Sequence, residues 1–381
     1  MPRIAILGAN GQVGAELCLL LSRIVGVDLI PVCRNPTGSA FLRFSGLPCR
    51  HGRPADASEA PRLIGDCDAI VNCALGAGTP AAIRAFDRKL IRNVFACSKP
   101  SAVIIHCSTL MVHGDPRPGK VLRTRDSYGG VKLAAEADIR SHSKRTGKPA
   151  YILRLGHVCG QLQNITDKIR KEIATERVLL PREDVYSNTV YTVTIVDALL
   201  SILAGKNPPG VFDLTNSPQW TWRQVYEYEA ALTGHALSPK LVSAPAPRSG
   251  LRSIAVSIKQ AARRWAGSPF VRSSIERALA VAPKEMNDKA QATWFQMRAR
   301  AEIAAITAEP ALAPELSWIR LDRRPMSGLR ETATLLQELG SWDLSSDVRT
   351  RWPRDLRAAD AESTLAKTDT LVSPINPHGS P

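Results

Sequence analysis

Residues 8 to 14 read Gly-Ala-Asn-Gly-Gln-Val-Gly, directly after the apolar run Arg3-Ile4-Ala5-Ile6-Leu7 and directly before a Leu-rich helical pattern. A buried strand that turns through glycines into a helix has few uses. Gly8 allows the tight turn, Gly11 lets backbone approach a pyrophosphate, and Gly14 lets helix and strand pack closely. The unpaired N–H groups of the helix start attract phosphate. The spacing predicts a dinucleotide-binding turn lined by Gly8, Asn10, Gly11, Gln12, Val13 and Gly14.

The chain beyond the turn keeps the same alternation. Strands are expected at Asp28–Cys33, Asp68–Asn72, Ala102–Cys107, Ala150–Arg154 and Gly210–Leu214. Helices are expected over Ala15–Val25, Thr79–Ser98, Tyr128–Thr146 and Thr221–Leu232. The run Val190–Ile195 reads as a strand leading into a helix over Val196–Leu203. Strand, helix, strand in this order predicts an α/β fold, a Rossmann-type doubly wound parallel sheet. A smaller substrate lobe is expected from about residue 155 onward.

Composition removes several classes. With 44% hydrophobic and 22% charged residues among 381, the chain is not wholly disordered. No apolar run approaches a membrane span. The N-terminal run is broken by Gly8, Asn10, Gly11 and Gln12, unlike a secretory signal, so a cytoplasmic location is expected. The 8 cysteines all lie in the first half and form no C-x-x-C pair, so small buried thiols in a reducing compartment are expected, with no metal site. The net charge of +15 admits phosphorylated small molecules as partners.

Arg34 stands at the end of the second expected strand, 20 residues after Gly14. An acid there would bind the ribose 2′-hydroxyl of NAD, whereas Arg suits the 2′-phosphate of NADP. The residue type therefore favours NADP(H) over NAD(H). Asp56 could bond an adenine amino group or cap a helix, and the sequence does not choose.

Tyr128-Gly129-Gly130-Val131-Lys132 opens a long helix. A spacing of four puts Tyr128 and Lys132 on one helix face. An ammonium close by favours phenolate, which would let Tyr128 give or take a proton near neutral pH. Lys132 could also bond the nicotinamide ribose. Ser108 and Thr109 follow the strand ending near Cys107, where a hydroxyl would face the ligand crevice and hold a substrate oxygen.

Together these pieces resemble the extended short-chain dehydrogenase/reductase family, the NAD(P)-dependent sugar epimerases, dehydratases and reductases. The matching residues are Gly8, Gly11 and Gly14; Asp68-Ala69-Ile70-Val71-Asn72-Cys73-Ala74; His106 to Gly114; Tyr128 with Lys132; and Ile152 to Gly160. The likeness covers roughly residues 1–235. Two stretches, Gly11-Gln12-Val13-Gly14-Ala15-Glu16-Leu17 and Tyr128 to Glu136, are similar to the dTDP-4-dehydrorhamnose reductase branch. The resemblance implies that Tyr128, Lys132 and Thr109, with Ser108 as the fallback, carry the catalysis, and that Ala74 lies against the cofactor. His113 and His157 stand where many nucleotide-sugar enzymes have Tyr and Asn, and by resemblance they are placed against the substrate. The implied reaction is hydride transfer coupled to proton transfer on a nucleotide-linked sugar, with a reductase favoured. An epimerase or dehydratase with tightly bound NAD is the alternative, and a non-catalytic dinucleotide sensor the rival from another class.

Residues 236–360 read as a helical basic extension, and 361–381 as a disordered tail. Leu251, Ile254, Ile258, Ala262 and Trp265 recur at helical spacing beside Arg252, Lys259, Arg263 and Arg264. Such a helix could touch an anionic membrane, although packing on its own domain with a solvated basic face is commoner. No nucleic-acid-reading motif is present. A homodimer is expected only through the family likeness.

Overall fold

The computed structural model describes residues 2–113, 127–216 and 219–242. Of the extension expected from residue 236, residues 236–242 are described and end in a short strand, Lys240–Val242, where a helix was expected; the rest of it, the tail and Gly114 lie outside the described residues.

Among the described residues, β1 (Arg3–Leu7), β2 (Asp28–Cys33), β3 (Arg50–His51), β4 (Ala69–Asn72), β5 (Val103–Thr109), β6 (Ala150–Leu155) and β10 (Gly210–Leu214) form one sheet in the order β10-β6-β5-β4-β1-β2-β3. Every pairing in it is parallel. Strand β1 lies inside the sheet, with Ile4 opposite Leu29 on one side and Ala69 on the other.

The apolar runs are unbroken because both faces of the sheet are covered. Along β1, Ile4 and Ile6 enter one core while Ala5 and Leu7 enter the other, following the two-residue period of a strand. The first face is covered by α1 (Gln12–Leu21), α2 (Ala40–Phe44) and α7 (Thr192–Leu203). The opposite face is covered by α3 (Ala60–Ile64), α4 (Pro80–Cys97) and α5 (Tyr128–Thr146).

Past β6 the chain builds short pairs: β7 (His157–Cys159) with β9 (Thr189–Tyr191), and β8 (Leu179–Pro181) with β11 (Lys240–Val242). Between them run α6 (Asn164–Ala174) and α8 (Trp222–Thr233). Ile169, Ile173, Val178, Leu180, Trp222, Val225 and Tyr226 form their own apolar cluster.

Two expected elements are corrected. Helix α1 begins at Gln12, inside the glycine turn, and stops at Leu21, leaving Val25 97% exposed. The early start brings the N-terminus of α1 onto the turn itself. The run expected as a strand over Val190–Ile195 divides: β9 ends at Tyr191 and α7 starts at Thr192. Helix α7 is buried at Thr192 through Val196, and a helix buried on nearly every side shows no alternation to betray it. The β-branched run therefore resembles a strand while folding as a helix.

Candidate active site

In a doubly wound sheet, ligands bind outside the carboxyl ends of the strands where the order reverses. Here β2 and β4 flank β1, so that crevice opens above β1 and β4, and the residues that follow β1, β2, β4 and β5 meet at it.

Gly8 has φ +75°, and a Cβ there would come within 2.7 Å of the Ala74 Cα. A Cβ on Gly14 would lie 2.3 Å from the Gly8 carbonyl oxygen. Gly11 accepts the Ala15 N–H at 2.8 Å and caps α1 with no side-chain hydrogen bond. The turn thus presents bare backbone and an uncapped helix start, a donor set that fits a pyrophosphate. Asn10 lies against the turn after β2, since a Cβ on Gly38 would come 3.0 Å from the Asn10 Nδ2. Gln12 reaches across to Asn164, at the start of α6.

Arg34 is exposed just beyond β2. The turn after it is fixed by the Gly38 N–H donating to Asn35 Oδ1 (2.8 Å) and by Arg43, which donates to the Pro36 carbonyl and to Ser39 Oγ. Asp56 receives both the N–H and the hydroxyl of Ser58 on Oδ1, so it caps the turn leading to α3, and those bonds hold its carboxyl below the usual range.

Thr109 ends β5 half-buried, its Oγ1 accepting the Met111 N–H at 3.3 Å. Tyr128 opens α5 at 48% exposure, while Lys132, one turn on, is buried and donates from Nζ to the Cys107 carbonyl at 3.2 Å. Ser127 caps α5 by accepting the Gly130 N–H. Gly129 explains how α5 reaches the end of β5: a Cβ there would sit 2.1 Å from the Met111 carbonyl oxygen. The absence of a side chain lets α5 rest directly on the turn that follows Thr109.

Ser108 points elsewhere. Its side chain is buried and donates to Glu136 Oε1 at 2.6 Å. Glu136 also receives Arg154 through Nε (3.0 Å) and a second nitrogen (2.8 Å). Burial pushes the Glu136 carboxyl up, but Arg154, Ser108 and Arg140 outweigh it and hold it below its ordinary range. Arg154 lies 3.7 Å from Asp213, which in turn meets His113 Nε2 at 2.9 and 3.0 Å. One charged network therefore ties Ser108 and His113 to α5, β6 and β10. His157 lies farther along, its ring centroid 5.3 Å from that of Trp222.

Several polar groups here carry no short-range sequence signal. The Ala74 N–H donates to Asn72 Oδ1, so the amide nitrogen of Asn72 faces His106 Nδ1 at 3.1 Å. His106 Nε2 and Asp87 Oδ2 are both buried without a hydrogen-bond partner among the described residues. Burial, helped by Lys132, holds the His106 imidazole well below its ordinary value and therefore neutral. Glu16, fully buried on α1, accepts from the N–H groups of Gln161 and Leu162, from Gln163 Nε2 and from Thr192 Oγ1, at 2.8 to 3.0 Å. Burial still pushes its carboxyl up. No group of three or more potential metal ligands is gathered among the described residues. No helix among them is long and apolar enough to cross a membrane.

A parallel 3-2-1-4-5-6-type sheet with a glycine turn at its switch point defines a dinucleotide-binding enzyme fold of the extended short-chain dehydrogenase type. Residues 4–204 match the model of the NAD dependent epimerase/dehydratase family, and the chain belongs to that family. Among curated relatives, the dTDP-4-dehydrorhamnose reductase of Streptomyces griseus is 28% identical over 235 residues, 58% of this chain and 73% of the relative. The spore coat polysaccharide biosynthesis protein SpsK of Bacillus subtilis is 24% identical over 245 residues, 61% of this chain and 78% of the relative. The fold is shared with the UDP-glucuronic acid 4-epimerase of Bacillus cereus in complex with NAD. That match has a TM-score of 0.50 and 16% identity, and covers 63% of this chain and 86% of the other.

Proposed function

We propose that the protein is a reductase that transfers hydride from NADPH to a keto carbon of a nucleotide-linked sugar. The observation that carries this reading is the placement of Tyr128 above Lys132 at the start of α5, with Lys132 tied to the carbonyl of Cys107, one residue before Ser108. When bound, the dinucleotide supplies the hydride. Tyr128 donates its proton from Oη to the developing alkoxide, as a general acid. Thr109 donates its hydroxyl hydrogen to the same oxygen and fixes its direction. Lys132, one helical turn from Tyr128, is assigned to the nicotinamide ribose. Thr109 is favoured over Ser108 because the Ser108 hydroxyl is already given to Glu136.

The cradle for the dinucleotide is assigned to the backbone of Gly8, Gly11 and Gly14, with Asn10, Gln12, Val13 and Ala74 around it. NADPH is favoured over NADH because Arg34 stands exposed beyond β2, where its guanidinium can pair with a 2′-phosphate. His113 is assigned to the substrate side of the crevice, held there by Asp213. His157 beside Trp222 is assigned to the same side. The relatives act in sugar chemistry by name, which supports a nucleotide-linked sugar as substrate.

The test begins with the cofactor content of purified protein, followed by separate titrations of NADPH and NADH. Protein that arrives empty and prefers NADPH is expected. Stoichiometric bound NAD would instead make the protein an epimerase or dehydratase that regenerates its cofactor in each turnover. Tyr128→Phe should lower turnover by about 10²–10⁴-fold with cofactor affinity retained. Full function in that variant would leave a non-catalytic dinucleotide sensor.

A further inference from the structure

We propose that Cys73 and Cys107 form a reversible oxidation site, a dithiol that closes to a disulfide between the residue after β4 and a residue near the end of β5. The two residues belong to neighbouring parallel strands. Asn72 pairs with His106, so the next position sets Cys73 beside Cys107. Their sulfurs lie 3.5 Å apart. Adjacent strands run about 4.8 Å apart, inside the roughly 4.4–6.8 Å between Cα atoms that a disulfide can bridge.

The bond would be strained. Closure shortens the sulfur separation to about 2.05 Å and draws the Cβ atoms to about 3.8 Å, nearer than neighbouring strands hold them. A strained disulfide is easily reduced, which is the property of a switch and not of a structural cross-link. Cys73 is half-buried and Cys107 buried, so Cys73 is the sulfur a small oxidant would meet first. Either thiol can donate to the other's sulfur, so the pair already shares one hydrogen bond along the line on which the S–S bond would form.

With a hydroperoxide as oxidant, the thiolate of Cys73, the more exposed of the two, attacks one peroxide oxygen, the O–O bond breaks, and a sulfenic acid forms while the leaving oxygen takes up the proton the thiol gave to solvent and departs as water (or an alcohol). The Cys107 sulfur then attacks the sulfenic sulfur. The S–S bond forms, the S–O bond breaks, and water leaves with the Cys107 proton. Two thiols have lost two electrons and one peroxide has gained them.

The position gives the bond a consequence. Ala74, next to Cys73, packs on Gly8 with no room even for a methyl group. The Cys107 carbonyl holds Lys132, and Thr109 stands two residues on. Drawing the strand ends together shifts the cofactor turn on one side and the Lys132 anchor on the other. Cys33 and Cys49 form a second hydrogen-bonded thiol pair, near the far end of the turn, and serve as an internal comparison.

The test uses the full chain with hydrogen peroxide, peptide mapping by mass spectrometry, and NADPH binding by fluorescence. A Cys73–Cys107 linked peptide should appear at near-stoichiometric peroxide. NADPH affinity should fall at least tenfold in step with it, and dithiothreitol should restore both. Cys73→Ser and Cys73→Ala should bind NADPH as the reduced parent does and lose the peroxide response, while Cys33→Ser keeps it. A link at Cys33–Cys49 alone, a Cys73–Cys107 link that leaves affinity unchanged, or an equally sensitive Cys73→Ser protein would overturn the proposal. A chain that binds neither nucleotide defeats the reductase reading. The switch then lacks its consequence, while the mapped link still reports on the pair.

Discussion

At the scale of single residues, the sequence prefers Thr109 over Ser108 only through the family resemblance, whereas the structure buries Ser108 in a charged network and leaves Thr109 half-buried at the end of β5. Ser108→Ala removes a hydrogen bond to an ionised carboxylate, which should cost about 1.5–3 kcal/mol of stability. Its turnover, corrected for folded protein, should change little. Thr109→Ala should reverse the pattern, with turnover lowered at least tenfold and the urea midpoint nearly unchanged. Equal kinetic losses in the two would return Ser108 to the catalytic role.

Asp87 makes a second residue-scale prediction. Burial pushes its carboxyl up to about 6 from an ordinary value of 3.8, against the pull of Lys132. The folded chain therefore holds this proton more tightly than the unfolded chain. Its stabilising effect is complete below about pH 4 and is lost as the pH rises through 6. Asp87→Asn should flatten the stability profile between those values and stabilise the protein at pH 7.5, by at most about 3 kcal/mol. Chemical denaturation at several pH values measures both, and an unchanged slope would remove Asp87 from the acid titration of the fold.

At the scale of elements, helix α1 does two things. Its N-terminus faces the crevice, and its buried Glu16 collects four donors from the segment before α6 and from α7. A Cβ on Gly160 would sit 2.4 Å from that carboxylate, so the segment has closed onto it. Glu16→Ala orphans several buried donors at once and should cost on the order of 3 kcal/mol or more, read as a lowered midpoint of urea unfolding. An unaltered midpoint would show that water replaces the carboxylate. Gly129→Ala tests the seat of α5 on the turn after β5. Overpacking of this kind costs about 1–3 kcal/mol. Displacement of Tyr128 should lower turnover at least tenfold, and a fully active variant would show that α5 need not touch that turn.

At the scale of the whole molecule, the measurable property is the coupling of nucleotide binding to stability. A ligand at 100 times its Kd adds about 2.7 kcal/mol to the folded state, which corresponds to a Tm rise of roughly 5–10 °C for a domain of this size. NADPH should give that rise at lower concentration than NADH, and Arg34→Ala should bring the two curves together. Identical curves for the parent protein would detach Arg34 from cofactor choice.

The sequence by itself determined the parallel sheet, the glycine turn and the helix that carries both Tyr128 and Lys132, because each rests on local pattern: unbroken apolar strands, glycine where a Cβ would collide, and helical spacing. It was silent or misleading wherever long-range contact decides. The helix expected over Val196–Leu203 is present, but the first turn of α7, Thr192–Ile195, hid inside a β-branched run because its burial comes from helices and strands far along the chain. Helix α6 had a legible signal in Ile165, Ile169 and Ile173 at helical spacing. The short strands β3, β7, β8, β9 and β11 are too brief to show a period of their own. Only the tertiary structure engaged the Ser108 hydroxyl elsewhere, since Glu136 is 28 residues away from Ser108. Likewise, only the pairing of β4 with β5 set Cys73 against Cys107, since residues 34 apart in the chain become neighbours through a shared ladder and through nothing in their local sequence.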